Sequence, residues 1–145
     1  SSAASDVYKR QVPKGRPKFT RTGHTYTPKK TREYEKYVRY QLMRQNPEMI
    51  PKGRAVYIHF CFVKPYLKSW SNKYLKMVKK LGLYAFKKPD LDNYIKSTLD
   101  ACNGLLFEDD GQVVELNASK IYGEEPKTII EIKEIDIWRG NNEQF

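Results

Sequence analysis

The chain has 145 residues, with 27 Lys or Arg against 17 Asp or Glu and a formal net charge of +10. That length suits a single domain that buries roughly 70% of its extended surface, and the positive excess calls for an anionic partner, nucleic acid first. No stretch approaches the roughly 20 apolar residues that span a membrane, so a membrane surface is the weaker alternative.

Residues 1–11, "SSAASDVYKRQ", are polar and lack an apolar signal core, so they read as a disordered leader that need not be native. The folded domain is expected over 12–138, with a loose tail at 139–145. "VPKGRPKFTRTGHTYTPKK" reads as extended chain with a loose hairpin through "TGHTY". There Lys14, Arg16, Lys18 and Arg21 interleave with Phe19, a strip suited to phosphate contact and base stacking or to a solvated edge.

Tyr34, Tyr37, Val38, Gln41 and Leu42 recur at spacings of three and four, which predicts an amphipathic helix over 31–46. "RAVYIHFCFVKP", residues 54–65, is apolar on both alternating faces and predicts a central strand ended by Pro65. A short lysine-rich helix over 69–82 follows, capped by Ser71 or Asn72 and closed at Gly82. After Pro89 a further helix runs to about Asn103, with Ile95, Leu99 and Cys102 on its core face and Gly104 at its stop. "QVVELNASKIY" and "KTIIEIKEIDI" are strand-like runs separated by "GEEP", a turn of hairpin length. This order predicts an α+β fold, a mixed sheet with helices packed on it. Cys61 and Cys102 lie in apolar patterns without CxxC or Cys/His spacing, which predicts reduced core thiols and no structural zinc.

The chemistry concentrates in "KKPDLDNYIKSTLDACNGLLFEDDGQVVEL", residues 87–116. Singly, each acid has an ordinary explanation: Asp90 or Asp92 as a helix N-cap, Asp109-Asp110-Gly111 as a turn, Lys96 as an i,i+4 ion-pair partner of Asp92. Together they suggest more. An extended start puts Asp90 and Asp92 on one side, and the helical period then places Lys96 over Asp92. Carboxylates suit a hard divalent cation, and a lysine beside them offsets charge in phosphoryl transfer. Acids within a basic chain therefore suggest a metal-dependent phosphodiesterase acting on nucleic acid. His59 sits mid-strand and reads as a core histidine; His24 is a candidate DNA contact.

The D-x-D-N-x-x-K helix start at Asp90–Lys96, the D-D-x-Q-V strand start at Asp109–Val113 and the later Lys120 resemble the RusA family of Holliday junction resolvases. The resemblance extends from Val12 to about Ile137, more weakly through "KSWSNK" and the N-terminal strip. It implies a homodimeric α+β endodeoxyribonuclease that resolves four-way DNA junctions by paired Mg²⁺-dependent nicks, with Mn²⁺ as a plausible substitute. It places essential acids, as metal ligands, at Asp90, Asp92 and Asp110 and the essential lysine at Lys96. Asn93, Asp109 and Gln112 are expected to support them. Lys120 is expected at a phosphate. Some members carry an arginine immediately before the first aspartate, where this chain has Pro89, and Lys87 and Lys88 are expected to substitute for it as DNA contacts. A cytoplasmic enzyme of a bacterial cell, of phage or prophage derivation, is implied. A junction-binding protein without catalysis and a general metal-dependent nuclease are the alternatives.

Overall fold

The computed structural model describes residues 8–13 and 28–140. In chain order its elements are β1 (Tyr8–Pro13), α1 (Pro28–Arg44), β2 (Ala55–Pro65), α2 (Asn72–Leu81), α3 (Leu91–Cys102), β3 (Val113–Gly123) and β4 (Lys127–Ile135). The four strands form one sheet in the order β1-β4-β2-β3. β2 and β3 run parallel, and the other two pairings are antiparallel. This is the mixed α+β architecture that the pattern predicts.

β2 is interior to the sheet because its side chains need cover. Val56, Ile58, Phe60 and Phe62 are buried beneath α1 and α3, while Tyr57, His59 and Cys61 on the opposite face are only half-buried. Among the described residues the helices thus cover one face of the sheet, and Tyr57, His59 and Cys61 on the second face of β2 stay half-buried. β3 and β4, joined by a turn of hairpin length, do not pair with each other. β2 lies between them, and residues 124–126 step across two strand spacings, about 10 Å. β2, apolar on both faces, takes the interior position between β3 and β4, which overrides the local hairpin signal.

The N-terminal boundary expected after residue 11 falls inside β1, which pairs from Tyr8↔Ile132 to Pro13↔Lys127. Residues 14–27, with the expected hairpin, and 141–145 lie outside the described residues. α2 has the predicted ends: the Ser71 side chain accepts from Tyr74 N–H, and Gly82, at φ 78°, donates its N–H to Val78 O. No helix among the described residues is long and apolar enough to cross a membrane.

α3 is fastened along its length. Tyr34, Val38 and Leu42 of α1 share the core with Tyr94, Ala101 and Cys102 of α3, and the Tyr94 ring stacks on Phe62 with centroids 4.9 Å apart. Ile95 and Leu99 are half-buried at the margin of this face. The buried Tyr34 hydroxyl lies 3.1 Å from Thr98 Oγ1 and 3.0 Å from Thr128 Oγ1, linking α1, α3 and β4. Burial pushes the Tyr34 phenol up to about 12, against the lowering effect of these hydrogen bonds. At the far end of α3, Arg39 Nη1 donates to Ala101 O at 3.1 Å and Asn103 O at 2.7 Å, giving its C-terminal carbonyls a cationic partner. Both cysteines are free, and burial raises the Cys102 thiol, as an inert core thiol requires.

Removing the Tyr34 hydroxyl takes away the partner of the buried Thr128 hydroxyl, while Thr98 Oγ1 keeps its bond to Tyr94 O at 2.7 Å. Tyr34→Phe is expected to cost about 1–3 kcal/mol, seen as a lower urea midpoint with an unchanged slope.

Candidate active site

The approach to α3 is anchored on β3. Tyr122 N donates to Leu83 O at 3.0 Å and Ala85 N to Lys120 O at 2.9 Å, so residues 83–85 lie along the outer edge of that strand. The chain then turns through Lys87, Lys88 and Pro89, with a cis Lys88–Pro89 peptide. Two lysines hold its carbonyls: Lys64 Nζ donates to Lys88 O at 3.1 Å, and Lys120 Nζ donates to Pro89 O at 2.6 Å and to Lys87 O. Burial lowers the pKa of both ammonium groups. The charge of Lys120 lowers Lys64 further, whereas the carboxylate of Asp90 opposes the shift at Lys120.

Asp90 occupies the N-cap position of α3 with extended backbone, φ −67° and ψ 146°, yet its side chain makes no capping hydrogen bond. The ordinary explanation for this acid thus leaves its carboxylate unused. Asp92, in the first turn, accepts from Asn93 N–H at 2.9 Å through Oδ1. Lys96 follows one turn later, exposed like both acids. Among the described residues, none of Asp90, Asp92, Lys96 and Asp110 forms an ion pair within 4 Å, so the simple Asp92–Lys96 pair is not made. The field of Lys96 reaches α1 instead: Glu35 is raised by burial and then by Asp100, with Lys96 and Arg39 opposing. Two carboxylates therefore stand at the positive end of a helix, where the dipole favours negative charge.

Asp110 sits in a differently built turn. Asp109 caps the 3₁₀ turn Asp110–Gln112, its carboxylate accepting from Gly111 N–H at 3.2 Å. A Cβ at Gly111 would stand 2.7 Å from Asp109 Oδ2, so glycine lets that carboxylate close over the turn. Gln112 is buried, with both ends of its amide engaged. Oε1 accepts from Glu108 N at 2.9 Å and Asp109 N at 3.0 Å, while Nε2 donates to Pro51 O at 2.9 Å and Arg54 O at 3.0 Å. Asp109 and Gln112 thus shape the turn that presents the exposed Asp110.

The two acid groups lie at opposite ends of the helix layer. Twelve helical residues carry the chain about 18 Å from the Asp90 end. β3 returns it over seven residues from Val113 to Lys120, about 23 Å, before meeting Pro89 again. Asp90, Asp92 and Asp110, expected at one metal, do not meet within a single chain. Among the described residues no three His, Cys, Asp or Glu side chains are grouped to hold a metal ion. Asp90 and Asp92 supply hard oxygen donors of the type Mg²⁺ takes, as a pair without a third acid among the described residues.

The remaining sequence candidates divide by location. Lys14, Arg16, Lys18, Arg21 and His24 lie outside the described residues. Lys87 and Lys88 are exposed beside Asp90. Lys120, expected at a phosphate, directs its ammonium to backbone carbonyls. Asn93 gives its backbone N–H to Asp92, and His59 Nδ1 lies 3.4 Å from Glu131 Oε1 on the second face of β2. Sequence reasoning missed Lys64. Its signal was the period of two: Phe60 and Phe62 face the core, so Lys64 faces the same layer, and Lys120 is Phe62's register partner. A lysine on a core face needs acceptors.

Gln112→Ala would strip four partners from the Asp110 turn. It is expected to lower stability by about 2 kcal/mol or more, measured by urea denaturation, whereas Asp110→Asn should leave the midpoint nearly unchanged.

Residues 10–133 match the family model described as Endodeoxyribonuclease RusA. The chain is also 39% identical over 134 residues to the uncharacterized protein YqaN of Bacillus subtilis (strain 168), an alignment spanning 89% of this chain and 94% of that protein. With a match over nearly its whole length, on the helix and turn that carry the acids, the chain belongs to the RusA endodeoxyribonuclease family.

Proposed function

We propose that the chain is a Mg²⁺-dependent endonuclease that resolves four-way DNA junctions as a homodimer, with Asp90 and Asp92 of one copy and Asp110 of the other completing each site. The carrying observation is the Asp90 carboxylate, which stands at an N-cap without capping and beside Asp92, exposed in a chain of net charge +10. An acid left out of structural bonds, on a surface otherwise suited to a polyanion, fits cleavage better than binding alone. The separation of Asp110 from the other two acids supports the second copy. A two-fold arrangement brings opposite ends of α3 together twice, giving two equivalent sites for two equivalent strands.

A bound divalent cation would polarise the scissile phosphate and acidify a water. The chain's own groups do the rest. The carboxylates orient the attacking water and accept its proton, and the Lys96 ammonium offsets negative charge as it develops on phosphate oxygen. Lys87 and Lys88, exposed immediately before Asp90, neutralise the adjoining DNA backbone.

Cleavage of a four-way junction beside a linear duplex of the same sequence, in Mg²⁺ and in EDTA, tests this reading. The expected result is paired nicking of the junction in Mg²⁺, none in EDTA, and a loss of at least about 100-fold in Asp92→Asn. Junction binding without nicking would establish the non-catalytic alternative, and equal cutting of the duplex would remove the structural preference.

A further inference from the structure

We propose that Lys64 and Lys120 are positioning residues: their ammonium groups form a clamp on the carbonyls of Lys87, Lys88 and Pro89 that fixes where Asp90 enters the site. The inference rests on the proposed metal-dependent cleavage for its consequence, but not for its geometry.

The two side chains come from adjacent parallel strands and face the same layer as Phe62. Each takes carbonyls of the same three-residue turn: Lys64 holds Lys88 O at 3.1 Å, and Lys120 holds Pro89 O at 2.6 Å together with Lys87 O. Three consecutive carbonyls are thus tied to two rigid strands, on the segment that ends at Asp90. The segment's other anchors lie upstream, at Leu83 and Ala85. Downstream, the first helical hydrogen bond, Tyr94 N to Asp90 O, spans 3.5 Å. Without the clamp, nothing described between Ala85 and that bond ties the backbone down. A carboxylate that must meet a metal tolerates little drift, since supporting groups around metal ligands typically carry about 10–100-fold in affinity or activity.

The competing role for Lys120 is a direct phosphate contact, and the two roles predict different losses. The informative variants are Lys64→Met, Lys120→Met and Lys120→Arg in the full chain. Arginine keeps the charge a phosphate needs but spreads its donors over a planar fork that does not reproduce the ammonium's carbonyl pair. Backbone carbonyl ¹³C shifts, read without metal or DNA, should move at Lys88 in Lys64→Met and at Lys87 and Pro89 in both Lys120 variants. Unmoved shifts in well-folded variants would overturn the clamp. Calorimetry with Mn²⁺ should show affinity reduced about 10-fold or more in all three variants. On the junction, kcat should fall by a similar factor while KM and the salt slope of binding stay as in the wild type. Retained kcat in Lys120→Arg, with a salt slope reduced by about one in Lys120→Met, would establish the phosphate contact instead. Should the wild-type chain fail to cut the junction, the proposed activity falls, while the carbonyl shifts still decide the clamp. If both methionine variants unfold, Lys120→Arg carries the decision, its shifts and kcat separating the two roles.

Discussion

The length of α3 sets the terms for everything around it. The helix begins at the two acids Asp90 and Asp92, runs about 18 Å across the sheet, and delivers the chain to the turn that holds Asp110. Its inner face is committed to the core through Tyr94, Ala101 and Cys102, and the buried Tyr34 hydroxyl joins it to α1 and β4. A helix fixed in this way does not bend to bring its ends together. The acids of one chain are therefore divided, and under the proposed function a site that uses all three would take them from two copies.

Each end of the helix is built by different means. At the Asp90 end, lysines on the sheet grip backbone carbonyls and leave the carboxylates exposed at the positive end of the helix dipole. At the Asp110 end, one buried glutamine amide gathers two N–H groups from its own turn and two carbonyls from the chain entering β2. In both places neighbouring polar groups carry the structural work, and Asp90 and Asp110 are left out of it. That division explains how a chain with an excess of ten positive charges keeps a few exposed acids out of ion pairs within 4 Å.

Much of this was legible in the sequence because it is local. The capping of α2 by Ser71 and Gly82, the helix starting after Pro89 and the apolar stripe Tyr34-Val38-Leu42 all follow from spacing within a few residues. The insertion of β2 between β3 and β4 was not, because a short turn reports only that two strands reverse, and burial decides which strand takes the middle. The separation of Asp110 from Asp90 was hidden for a similar reason: a linear motif gives the order of acids but not the end of the fold each one occupies. Gln112 and Lys64 were undervalued because their acceptors are backbone carbonyls, which no side-chain motif records.

Subunit mixing tests the divided site most directly. Asp92→Asn and Asp110→Asn proteins, each inactive alone, are unfolded together, refolded as mixed dimers and assayed on a four-way junction. If each site joins Asp90 and Asp92 of one copy to Asp110 of the other, a mixed dimer carries one site with both defects and one intact site. Single-strand nicking then returns. If all three acids act within one chain, both sites of every mixed dimer stay defective, and the mixture remains as inactive as its parents.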